Sequence, residues 1–194
     1  LLYYNKSVDG DTITNKMRLT GDGDISDSKV SKSSDVEKIT AANQQVPYKI
    51  SYTGKVNNYI GRVKVTLVDR LPFEIDESKS DIANGVYDSV ARTITWVDNI
   101  TGVDTYNQGS KVINIEKNIT LVYKGLVADK QLGVLNSVDG NIELTDTNKK
   151  VVEKGDKSIP TDLKSKVIVK YVLTGGNGDN GGKVADDKVI EGHV

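Results

Sequence analysis

The chain's 194 residues carry 26 Lys and Arg against 27 Asp and Glu, with a single His and no Cys. Without Cys there are no disulfides, thiolate nucleophiles or Cys-based zinc sites, and a lone His193 excludes a multi-His metal centre and argues against a His-dependent triad. Near-zero net charge without a basic patch argues against a nucleic-acid partner, and no apolar run approaches the ~20 residues that span a bilayer.

The apolar residues are mostly Val, Ile and Leu, interleaved with Thr, Asn, Asp, Lys and Gly. β-branched residues separated by turn formers describe an all-β chain. No signal peptide opens it, so a secreted protein would be represented here by an internal segment.

In chain order, Thr12-Ile13-Thr14-Asn15-Lys16-Met17-Arg18-Leu19 weakly echoes Gly133-Val134-Leu135-Asn136-Ser137-Val138. Residues 1–20 read as the closing strand of a preceding repeat, as the first strand of the central domain, or as a strand donated to a neighbouring molecule. An acidic, turn-rich junction follows at residues 21–28. A first central strand carries Val30 and Lys32 on one face. Residues 46–52 alternate Tyr48, Ile50 and Tyr52 inward, and residues 62–71 alternate Val63, Val65, Leu67, Asp69 and Leu71. Pro72 ends that strand. Residues 75–82 have room for a short helical turn. Further strands fall at 92–97, 112–123, 132–144 and 166–172. Turn signals stand at Asn57-Asn58, Asn84-Gly85, Gln108-Gly109 and Asp139-Gly140. Residues 157–165 read as a linker, and Gly-rich residues 175–182 as a flexible hairpin loop.

This spacing implies an antiparallel, immunoglobulin-like β-sandwich with flanking β segments from neighbouring modules. The expected organisation is an accessory or preceding segment at 1–27, the sandwich at 28–156, a linker at 157–165 and a partial β segment at 166–194.

Three runs carry a resemblance. They are Tyr48-Lys49-Ile50-Ser51-Tyr52-Thr53-Gly54, Val63 to Pro72 with its Asp69-Arg70-Leu71-Pro72 ending, and Thr93-Ile94-Thr95-Trp96. In order and spacing they resemble the DUF11-like repeats of bacterial surface proteins over about residues 28–146. Residues 166–172 and 184–192 resemble the start of a MucBP-like repeat, departing from it in the enlarged Gly/Asn loop. The combination is similar to cell-wall-anchored surface proteins of clostridia and related Gram-positive bacteria. It implies an extracellular location, adjacent repeats of the same chain as partners, and a host glycan or matrix protein as a ligand class.

Parity exposes one chemical oddity. Lys32, Asp69 and Asn136 each share a face with core residues, and a buried charge is costly unless paired. An amine, a carboxyl and a carboxamide facing one core are what an intramolecular isopeptide bond requires. Lys32 is read as the nucleophile, Asn136 as the electrophile and Asp69 as the assisting acid. Many Gram-positive pilin and adhesin domains are similar in carrying such a bond. Lys29 replaces Lys32 if the register slips by one, and Glu116 is a second candidate acid. On the other reading, Asp69 bonds backbone amides before Pro72, Asn136 caps a bulge and Lys32 snorkels outward.

Other signals point away from chemistry. Asp22, Asp24, Ser26 and Asp27 loosely suggest a calcium loop, but the positions needing Gly and Glu hold Asp27 and Ser33. Trp96 reads as a core residue, with a sugar platform as the alternative. No two carboxylates stand out as a glycosidase pair. No cofactor, metal or enzymatic turnover is expected. The leading function is a structural or adhesive stalk repeat. The alternative is a ligand-binding adhesin module, which exposed Tyr59, Tyr87 and Tyr106 would favour.

Overall fold

The computed structural model describes residues 2–9, 12–19, 23–106, 109–126, 133–169 and 186–192. Twelve strands follow in order: β1 (Leu2–Asp9), β2 (Thr12–Leu19), β3 (Asp24–Ser33), β4 (Val46–Asn57), β5 (Ile60–Arg70), β6 (Val86–Asp88), β7 (Thr93–Asp104), β8 (Ser110–Leu121), β9 (Gly133–Leu144), β10 (Lys150–Pro160), β11 (Ser165–Val169) and β12 (Lys188–Gly192). Every strand-to-strand ladder among the described residues is antiparallel.

The centre is a sandwich of two sheets. One runs β3-β4-β8 and the other β10-β9-β5-β7-β6. β3 and β4 lie in the first sheet and β5 to β7 in the second, after which β8 returns to the first beside β4 and β9 to the second beside β5, as in immunoglobulin-like Greek keys. After β3 the chain crosses to the second sheet, where Ile39 forms a parallel bridge with Thr161 beyond β10. The Ile39 N–H donates to the Pro160 carbonyl at 3.0 Å, and the Asp162 N–H donates to the Ile39 carbonyl at 2.8 Å.

Period-two patterning explains the core. On β4, Val46, Tyr48, Ile50, Tyr52 and Val56 are buried, and on β5 so are Val63, Val65, Leu67 and Asp69. Trp96 is a core residue, its indole N–H donating to the Ile82 carbonyl at 2.9 Å.

The structure departs from the sequence reading at several places. The 157–165 linker is absent as such: residues 157–160 complete β10, paired with β9, and Ile159 and Leu163 are buried. The inward positions of β10 between Val151 and Ile159 hold Glu153, Gly155 and Lys157, so no apolar alternation announces the strand. The 21–28 junction is partly strand, since β3 begins at Asp24 and carries a bulge between Ser26 and Lys29 with Asp27 at φ 50°.

Asp139-Gly140 is not a turn but the middle of β9. A Cβ on Gly140 would lie 2.2 Å from Val30 Cγ2, so this Gly admits the facing sheet rather than a reversal. Residues 75–82 form no helix; Ile75 and Asp81 bridge to Tyr123 and Thr120 instead. Tyr59 is buried, its hydroxyl 2.7 Å from the Arg62 carbonyl and 2.8 Å from that of Thr145, which locks the β4–β5 turn. Tyr87 is half-buried on β6, and Tyr106 alone of the three is exposed.

Among the described strands, β1 and β2 pair only with each other, as do β11 and β12. The Gly-rich 175–182 segment and His193 lie outside the described residues.

Candidate crosslink site

Five elements converge on one buried polar cluster. β3 supplies Lys32, opposite Ile50 of β4. β5 supplies Asp69, flanked in register by Ile94 of β7 and Val138 of β9. Asn136 sits two residues before Val138 on β9, on the same inward face and diagonal to Asp69. Tyr48 of β4 and Tyr123, just beyond β8, close the cluster.

Burial is nearly complete. Asp69 and Asn136 are fully inaccessible, and the side chains of Lys32 and Asp69 expose nothing. Lys32 Nζ hydrogen-bonds Asp69 Oδ1 and lies 4.6 Å from the centroid of the Tyr48 ring. Asp69 Oδ2 stands 3.4 Å from Asn136 Nδ2. Asn136 Nδ2 is also 3.1 Å from the Tyr123 hydroxyl, which donates to the Tyr48 hydroxyl at 2.9 Å. Asn136 Oδ1 is buried without a hydrogen-bond partner among the described residues.

Desolvation dominates the electrostatics. It pulls the Lys32 amine down to about 8, against the attraction of Asp69, which raises it. It pushes the Asp69 carboxyl up, against Lys32 and Asn136, which lower it. Both shifts favour a neutral amine beside a neutral acid. That pair holds as many protons as the ion pair, with one moved from the amine to the carboxyl, so the switch needs no proton from solvent. Burial likewise raises the Tyr48 phenol to about 12 and the Tyr123 phenol well above its ordinary value, so both keep their protons.

The structure thus brings Lys32, Asp69 and Asn136 together. It separates the two alternates from them. Lys29 is exposed on the opposite face of β3. Glu116 is on the outer face of β8, half-exposed, and pairs with Lys49 at 2.7 Å. Asp69 does not serve the turn before Pro72, because its two oxygens face Lys32 and Asn136. The calcium reading fares poorly too: Asp27 pairs with Lys55 at 2.6 Å, and Ser26 Oγ accepts from Asn57 at 3.2 Å.

Sequence reasoning missed the role of the tyrosines. Tyr48 shares the inward parity of Ile50 and Tyr52, which was a usable signal. Tyr123 gave none, because Leu121, Val122 and Tyr123 are all buried and alternation has ended there.

No protein-family model matches the chain, and no curated protein does. Among solved structures it is similar to BslA, a bacterial hydrophobin, with TM-score 0.40 and 8% identity, covering 71% of this chain and 97% of that one. It is also similar to AvmM, which catalyses macrocyclization in alchivemycin A biosynthesis (TM-score 0.30, 8% identity, 70% and 88% covered). A third is AggA, the major subunit of aggregative adherence fimbriae type I from Escherichia coli (TM-score 0.28, 10% identity, 75% and 97% covered). Likenesses this distant carry no inference about activity, so the function rests on the geometry of the site.

Proposed function

We propose that the central sandwich is a structural repeat of a bacterial surface protein, stapled by an intramolecular isopeptide bond between Lys32 and Asn136. One observation carries the reading: an amine, a carboxyl and a carboxamide from three strands meet in a dry core, with the amine bonded to the carboxyl and the carboxyl beside the carboxamide.

The chemistry balances within the cluster. The neutral Lys32 amine attacks Asn136 Cγ, forming a C–N bond, while Asp69 in its acid form polarises the carbonyl. Asp69 then carries a proton from the Lys32 nitrogen to Asn136 Nδ2. The Cγ–Nδ2 bond breaks and ammonia leaves. The product is an amide between β3 and β9, with Asp69 returned to its starting form. This is one self-directed turnover, not enzymatic catalysis.

The bond would give a Cys-free extracellular domain the staple that disulfides give others. The motif resemblance to DUF11-like repeats supports placement on a Gram-positive cell surface, in line with other repeats of the same chain. A ligand-binding role through exposed tyrosines has less support, since Tyr59 is part of the core. Intact mass under denaturing conditions tests the reading. A loss of about 17 Da that vanishes in Lys32→Ala supports it, and a mass equal to that of the sequence refutes it.

A further inference from the structure

We infer that Tyr123 is a second hydrogen-bond donor to the Asn136 carbonyl in the crosslinking step, with Tyr48 behind it as a positioning residue. This rests on the crosslink reading and assigns roles that Lys32, Asp69 and Asn136 leave open.

The Asn136 carboxamide has two unlike ends. One end faces two groups, Asp69 Oδ2 at 3.4 Å and the Tyr123 hydroxyl at 3.1 Å. The other end faces no partner among the described residues. The nitrogen and oxygen of a carboxamide have nearly the same shape, so the partners decide which end holds which atom. With Nδ2 toward the pair, the buried oxygen is stranded. Turned by 180°, the oxygen meets a phenol that burial keeps protonated and a carboxyl that burial pushes toward its acid form. Two O–H donors then converge on the atom where negative charge develops, and the Tyr123 distance is already within the range of an oxyanion site. The longer Asp69 contact is typical of a site before the reacting groups close up.

The hydroxyl chain supports the turned orientation. Tyr48 and Tyr123 lie 2.9 Å apart, so reversing the bond lets Tyr48 donate to Tyr123 and leaves the Tyr123 proton free for the carbonyl. The Tyr48 ring meanwhile packs against Lys32 Nζ. Phe73 holds the Tyr123 ring edge-on, with centroids 6.4 Å apart. In the turned orientation Nδ2 is the end without a partner; once Lys32 has added and Cγ is tetrahedral, rotation about Cβ–Cγ carries Nδ2 to Asp69, which protonates it, and the cost of the unpaired nitrogen disappears as it departs as ammonia.

The test follows crosslinking over time. Protein made by cell-free synthesis is quenched into denaturant at intervals, and its intact mass is read. Wild type should lose about 17 Da, and Tyr123→Phe should do so on the order of a hundredfold more slowly, the effect of removing one oxyanion donor. Tyr48→Phe should slow it less. Circular dichroism at the assay temperature checks that each variant is folded. As an arm independent of the folding of Tyr123→Phe, 3-fluorotyrosine at position 123 keeps size and strengthens the donor. It should speed crosslinking, whereas a hydroxyl that merely accepts from Nδ2 would make it slower or leave it unchanged. Folded Tyr123→Phe reacting at the wild-type rate overturns the inference while leaving the crosslink intact. Wild type with no mass loss overturns both.

Discussion

Tension should distinguish the crosslinked sandwich from the same fold without its bond. Val30 lies beside Gly155 and Ile39 beside Thr161, so β3 and β10 run the same way and the ends of the sandwich leave in opposite directions. Pulling the termini apart therefore shears β3 past β10. An amide between Lys32 and Asn136 would shunt force from β3 to β9 and take residues 33–135 off the load path. At ~3.5 Å per extended residue, that hides roughly 360 Å of contour. Residues 137–163 stay on the path and can extend by roughly 90 Å, so the module would yield a little and then stop. The perturbation is Asn136→Ala, which removes the electrophile and leaves the Lys32–Asp69 pair in place. In single-molecule pulling, the variant should lengthen by roughly 360 Å more than wild type, while the flanking hairpins contribute equally to both. Equal extension in the two proteins would refute the force path.

Protonation of the buried Lys32–Asp69 pair sets a pH profile for crosslinking. The reactive pair holds one proton between Lys32 and Asp69, in a pocket whose other titratable groups, Tyr48 and Tyr123, stay neutral. The rate should fall above about pH 8, where the Lys32 amine is already free and Asp69 no longer has a proton to lend, and fall again in acid, where Lys32 stays charged. In Asn136→Ala, which cannot crosslink, the folded Lys32 value of about 8 lies below the ordinary 10.5. The unfolded chain binds more protons between those values, so Lys32 should add stability as pH rises through that window, read by urea midpoints. Gly140→Ala would set a Cβ against Val30 Cγ2, and should lower stability by about 1–3 kcal/mol in urea unfolding. Gly85→Ala would press within 2.6 Å of Trp96 Nε1, and a similar loss should appear with a shift in Trp fluorescence. Lys29→Ala and Glu116→Gln should leave the mass loss unchanged, because both side chains lie outside the core.

Most of the sandwich was legible because β4 and β5 and much of β9 bury alternate residues, and parity alone put Lys32, Asp69 and Asn136 on core faces. Parity says which way a side chain points, not what it meets. The meeting of Asp69 with Lys32 depends on how the two sheets face, and Gly140 permits that approach while reading locally as a turn. β10 was missed because its pairing with β9 comes from backbone bonds, with polar residues on the middle of its inward face. The linker reading at 157–165 failed for the same reason. Tyr123 was missed because it lies where the strand ends and its partners come from β4 and β9.

The most direct test of the central claim is the intact mass of the denatured protein, wild type beside Lys32→Ala and Asn136→Ala. A wild-type mass about 17 Da below that of the sequence, with both variants at their full calculated mass, is the expected result. Wild type at its full calculated mass would contradict the account and leave Lys32, Asp69 and Asn136 as a buried hydrogen-bonded cluster.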